Sequence, residues 1–334
     1  MPTTRTTLAQ HFVRSAICFV LGSSLLLICG ASLSRDASAS PTDKSSRDLQ
    51  PLDEVTVSAR KDIDRRTLEH VVVPRFVESH GGASERSGQI GRWHESVCPE
   101  TFGLQPLSNE FVSRRVVDVA RRVGVPTKNA GKCTPNVEII FSPQPQKQLD
   151  YIASKNKAYL GYSEHPRHLG EFTHVIQAWY VTGTRTFVTI EDWCTGSRYY
   201  CPPPPPSAGG LGIDSANSGT IGRAGSLLGS DSRSEFVHVT VIADANALVR
   251  YPLHAVADYV AMVALTRTAL DGCNALPSII DILSADCGAR ARPESITEAD
   301  IAYLRALYSS DLEFKLNFER GELKDKMLKA LDER

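Results

Sequence analysis

His254 and Asp258 stand four residues apart in the run Pro252-Leu253-His254-Ala255-Val256-Ala257-Asp258. On a helix that spacing stacks two side chains on one face. An imidazole and a carboxylate so placed can hold a divalent cation together, or the carboxylate can accept the imidazole N–H. Leu253, Val256, Val260 and Val263 form an apolar stripe that Ala257, Ala261 and Ala264 widen. A helix of that composition is expected to be mostly buried, which favours the hydrogen-bonded pair. The metal alternative makes His254 and Asp258 zinc ligands.

Two other groups have chemical residue types. His165, His168 and His174 fall within ten residues, and a loop with His at i and i+3 can take up a metal. No acidic or cysteine partner has clear ligand spacing to them, so surface histidines are expected. His94, Glu95 and Cys98 sit close together in "WHESVC". If that segment is a strand, His94 and Cys98 share a face, and a free thiol there could act as a nucleophile. The point turns on whether Cys98 is oxidised.

The cysteine pattern predicts that it is. Basic Arg5 and Arg14 precede an apolar run, Ala16 to Gly30, followed by small residues, which reads as a signal peptide over residues 1–39. The run is shorter than the roughly 20 residues a spanning helix needs. Lipid anchoring at Cys29 is disfavoured by Ile28 before it. Two cysteines fall in this leader; six remain, Cys98, Cys133, Cys194, Cys201, Cys273 and Cys287. An even number in an exported chain predicts disulfides, and sequential neighbours close the smallest loops: Cys98–Cys133, Cys194–Cys201 and Cys273–Cys287.

The elements that must position these residues follow from periodicity. Residues 40–65 are polar and expected to be flexible, except that Leu52–Arg60 alternates like an extended strand. Residues 66–334 read as one α+β domain. A helical segment is bent at Pro74. "GQIGRWHESVCPETFGL" reads as a strand and turn. A clear helix follows with Ser108 as its cap and Arg114, Arg115, Arg121 and Arg122 outward. "NVEIIFS" is a strand and "PQKQLDYIASKN" a short helix with Leu149 and Ile152 inward. "HVIQAWYVTGT" is apolar on both faces and so expected to be central. Residues 201–235, with five consecutive prolines, read as a disordered insertion. Beyond it come the strand "FVHVTVIAD", the His254 helix, a helix capped by Thr297 and a charged amphipathic tail helix. This order predicts a mixed sheet in the first half and a helical C-terminal part.

The 334-residue chain carries a net charge of −1. Removing residues 1–39 leaves about −3, with no basic face for nucleic acid and no second apolar run able to span a membrane.

The sequence "HVTVIAD", then "PLHAVADYV", then Ser278-Ile279-Ile280, then "ADIAYLRALY" resembles the plan of zincin (matrixin-like) metallopeptidases, closest to exported bacterial proteins at the edge of that group. In that family an edge strand precedes a helix bearing HExxH, and a turn and a C-terminal helix follow. The resemblance implies a zincin-like fold with a degenerate zinc helix. His254 fills the first histidine position, Ala255 the position of the general base and Asp258 the second histidine position. No histidine follows His254, so a downstream ligand would be Asp271, Asp281, Asp286 or a cysteine, and no Met occupies the turn. With the base replaced, hydrolysis by the usual route is not expected. Leu52–Arg60 also resembles the short extended box of TonB-dependent outer-membrane receptors, which implies strand addition to an envelope partner.

These observations predict a periplasmic or secreted binding or structural protein with no cofactor and no catalytic residue. A divergent metal-dependent, peptidase-like hydrolase using zinc at His254 and Asp258 is the alternative.

Overall fold

The computed structural model describes residues 63–85, 87–128, 133–163, 167–186, 232–284, 287–288, 292–310 and 315–333. The described residues all fall in one compact unit, Arg60–Arg334. The leader, Leu52–Arg60, His165, the Cys194–Cys201 pair, Asp286 and residues 201–231 lie outside the described residues.

The elements run α1 (Arg65–Thr67), a π turn (Leu68–Val72), α2 (Val73–His80), β1 (Pro99–Phe102), α3 (Pro106–Arg122), β2 (Val137–Ser142), α4 (Pro145–Asn156), β3 (Ile176–Thr186), β4 (Ser232–Asp244), α5 (Ala245–Leu248), α6 (Leu253–Leu265), α7 (Glu298–Ser309) and α8 (Leu316–Asp332). Among the described residues every strand precedes Ala245 and every later element is helical. The fold is α+β around one four-stranded mixed sheet, ordered β1-β2-β4-β3. β1, β2 and β4 are parallel; β3 runs antiparallel on the far edge. No described helix is long and apolar enough to cross a membrane.

Each sheet face buries a different set. Val137, Ile139, Phe141, Val239, Val241, Ala243 and Ile176 enter the main core with α3, α6 and α7. Ile140, Ile242 and Trp179 face the other way, under Leu149 and Ile152 of α4 and Leu160. The alternation in β2 and β4 is that of strands covered on both sides. Gly161 lets the chain cross close over the sheet: it sits at φ +73°, and a Cβ there would stand 2.0 Å from the Tyr180 carbonyl oxygen.

Several expectations are corrected. β3 is an edge strand, and its two apolar faces reflect cover on both sides. Trp179 packs in the smaller cluster, while Tyr180 reaches the main core and donates to the carbonyls of Val263 and Thr266. The strand leading into the His254 helix is internal. β4 also begins at Ser232, so 232–235 belong to a strand and not to the insertion. The segment before Pro99 makes isolated bridges at Arg92 and Val97 instead of a strand. α3 starts at Pro106 with Gln105 at the cap, because proline loses nothing in a first turn. Thr297 caps α7 as expected, in a reciprocal box with Asp300. Pro74 lies in the first turn of α2, directly after the wide π turn.

Two disulfides agree with the pairing expected. Cys98–Cys133 joins the start of β1 to the segment entering β2, and Cys273–Cys287 closes a loop between α6 and α7.

Candidate functional sites

Asp258 is fully buried on α6, while His254, one turn earlier, is exposed at the helix start. Arg115 of α3 forks onto the Asp258 carboxylate: its Nε donates to Oδ1, and its Nη2 to Oδ2 at 3.0 Å. The backbone N–H of Ile296 donates to Oδ2 at 2.8 Å. Arg115 was expected to face outward; it folds back because an unpaired carboxylate in this core would be costly. Neither His254 nor Asp258 is within hydrogen-bonding range of the other. The far end of α6 is equally committed. Tyr180 donates to Val263 O at 2.7 Å, Trp93 Nε1 to Ala264 O at 2.8 Å and Tyr308 to Leu265 O at 2.7 Å. These are carbonyls that a buried helix end would otherwise leave without partners.

The turn after α6 builds a second constellation that sequence reasoning touched only in part. Ser278 Oγ donates to Asp300 Oδ1 at 2.6 Å, and Asp300 Oδ2 accepts from the N–H groups of Ile279 and Thr297. His80 Nε2 lies 3.0 Å from Ser278 Oγ, and its Nδ1 lies 2.9 Å from the Phe76 carbonyl. Burial pushes the imidazole down to about 4, so it is neutral at physiological pH. Burial also raises Asp300, against the donors that favour its charge. Serine, histidine and aspartate are the types of an acyl-transfer triad, but there the histidine bridges the other two. Here the serine bridges, its proton is committed to Asp300, and all three residues are sealed from solvent. The group locks the α2 end, the Ser278 turn and the α7 start together.

The remaining candidates are placed plainly. Cys98 is oxidised, so the His94–Cys98 nucleophile does not form. His174 pairs with Asp271 at 3.1 Å on the surface. Cys273, Asp281 and Cys287 have donor atoms within 4.8 Å of one another. With the disulfide formed neither sulfur is a thiolate, the form that binds metal. Asp281 accepts from Asn274 Nδ2 and the Ser278 N–H.

One group went unnoticed in the sequence. Glu100 on β1, Glu138 on β2 and Thr240 on β4 align in register across the sheet face under α4. His238 lies two residues before Thr240 on the same face, its Nε2 3.9 Å from Glu138 Oε2. Both residues are at least nine-tenths buried. Burial, then the charge of Glu100, pushes Glu138 up to about 7; burial pushes His238 down to about 4. Between those values both groups are neutral, and 3.9 Å is too long for a hydrogen bond. The signal was present in "NVEIIFS" and "FVHVTV": one ionisable residue inside each otherwise apolar strand.

Compared with known proteins, the chain matches no family model, no curated protein and no solved structure.

Proposed function

We propose that this chain is an exported binding or structural protein on a zincin-like plan, in which the helix at the zinc position serves as a core strut. The observation that carries the reading is the Asp258 carboxylate. It is fully buried, and both its oxygens accept from Arg115 or the Ile296 N–H. A metal ligand at that position would have to give up the guanidinium. Ala255 supplies no base at the position where hydrolysis needs one. The order helix, capped turn, helix after β4 supports the zincin-like plan; β4 itself is an inner strand where the resemblance implies an edge strand. The two disulfides support a periplasmic or secreted setting, where such bonds persist. Leu52–Arg60 is the proposed strand-adding contact to an envelope partner; a partner retained at full strength after its deletion would exclude that role.

Elemental analysis of the chain made in an oxidising compartment, beside His254→Ala and Asp258→Ala, tests the main reading. Metal content unchanged in both variants, with only Asp258→Ala less stable, is the expected result. One equivalent of zinc lost in both variants would restore the hydrolase alternative.

A further inference from the structure

Glu138 is a carboxylate in an inner strand, 5% exposed, and among the described residues no N–H or O–H donates to it. Its neighbour across the register is another carboxylate, Glu100, and like charges on adjacent strands destabilise a sheet. His238 Nε2 lies 3.9 Å from Glu138 Oε2, buried and without a hydrogen-bond partner among the described residues. Buried polar groups in folded proteins are nearly always paired, and the two buried aspartates of the main core are. Asp258 and Asp300 collect three or more donors between their oxygens. The Ser234 and Thr268 hydroxyls also lack a partner among the described residues, but under α4 two ionisable side chains face each other without one.

The geometry points to a divalent-cation site built on His238 Nε2 and the Glu138 carboxylate, 3.9 Å apart, with Glu100, opposite Glu138 in the register, as the third donor once its side chain swings in. As they stand the three donors are not gathered within 4.8 Å of one another. A single cation removes the repulsion between the carboxylates and occupies the imidazole lone pair. One nitrogen and carboxylate oxygens suit zinc or another first-row divalent ion. Two such donors on zinc stand about 3.3 Å apart, given bonds of roughly 2.0–2.1 Å. The 3.9 Å between Nε2 and Oε2 is a small side-chain movement from that value. Glu100, half-buried on the edge strand β1, gives the site its side toward solvent.

The surroundings hold the donors in place. The register of β4 on β3 shifts between Val181 and Thr182, and that bulge lets Phe236 return to the core while His238 faces Glu138. Bulges of this kind re-aim side chains. The Tyr159 ring packs edge-on against the imidazole, centroids 4.9 Å apart, and Gly161 brings that segment down onto the sheet. Asn136 accepts from the Cys98 N–H and donates to Ser96 O, which with the Cys98–Cys133 bond sets Glu100 opposite Glu138.

The test is a zinc titration of tag-free, chelator-stripped protein near neutral pH, by calorimetry and by thermal melting with and without zinc. Variants are Glu138→Gln, His238→Gln, Glu100→Gln and His254→Ala, each first shown to fold by circular dichroism. One zinc per chain is expected, with affinity falling at least about tenfold in Glu138→Gln and His238→Gln. Glu100→Gln should fall less, and His254→Ala should match the parent. The zinc-induced rise in melting temperature should vanish with Glu138→Gln. Zinc binding by the parent no tighter than by a Glu138→Gln/His238→Gln double variant overturns the inference and leaves the proposed function standing. Binding lost in His254→Ala but kept in Glu138→Gln overturns both.

Discussion

Asp258 and Glu138 are carboxylates buried to nearly the same degree on opposite sides of one sheet, yet only one is provided for. On the main-core side a guanidinium and a backbone amide converge on Asp258. Under α4, Glu138 faces an imidazole too far away to bond and a second carboxylate. Taking a carboxylate out of water is costly in either place. The first region offsets it with pre-placed donors, as expected where a polar group holds elements together. The second leaves it open, as expected where a ligand completes the arrangement. Residue type and burial alone do not separate a structural carboxylate from a binding one; the donors around it do.

The largest effect should come from breaking the satisfied side. Arg115→Ala strands the Asp258 charge in the core, and breaking a buried pair by removing one partner costs about 3–5 kcal/mol. Urea unfolding should show the midpoint falling with the slope unchanged. A loss under about 1 kcal/mol would mean that water reaches Asp258, and the contrast between the two faces would weaken. Replacing the Cys98–Cys133 pair with serines should cost roughly 4 kcal/mol, from a loop of 35 residues. It should also weaken zinc binding, because that bond fixes Glu100 opposite Glu138. Removing Cys273–Cys287 should cost roughly 3 kcal/mol for its 14-residue separation and leave zinc affinity unchanged.

Much of the frame was legible in the sequence because local signals carried it. The apolar period of α6, the Thr297 cap and sequential cysteine pairing each depend on residues close along the chain. The edge position of β3 was not legible, since covering layers rather than neighbouring strands make both of its faces apolar. Arg115 read as surface because periodicity reports where a Cα points, while a long side chain can turn back. Of the candidate sites, the His254–Asp258 spacing was visible, but its environment was not: the partners of Asp258 lie 143 and 38 residues away. The Glu100–Glu138–His238 group depends wholly on strand register, which joins three distant segments.

The unsatisfied side has a pH signature of its own. In metal-free protein Glu138 keeps its proton up to about 7, against an ordinary value of 4.5. Below 4.5 it is protonated folded and unfolded, and contributes no pH dependence. Between 4.5 and 7 the unfolded chain releases a proton that the folded chain retains, so stability falls as pH rises. Glu138→Gln removes this loss. Relative to the parent it should therefore gain on the order of 1–3 kcal/mol from pH 4.5 to above 7. His238 and His80, both pushed down to about 4, act in the opposite sense: stability falls as pH drops below the ordinary histidine value of 6.5. Both histidines remain in the variant, so the difference between the two proteins isolates Glu138. A difference that stays flat with pH would place an unrecognised donor on that carboxylate.

The smallest expected effect belongs to the residue that first drew attention. His254 is exposed, so His254→Ala should change stability by less than about 0.5 kcal/mol. Asp258→Ala should cost more, because it leaves the Ile296 N–H without its acceptor, while Arg115, a third exposed, can turn to water. A double-mutant cycle between His254 and Asp258 in stripped protein should show coupling within about 0.5 kcal/mol of zero. Repeating the cycle with zinc present is the sharper measurement. An ion shared by the two residues would create coupling that stripped protein lacks. If zinc instead occupies the sheet face, it raises the stability of all four proteins by the same amount, and the coupling stays where it was.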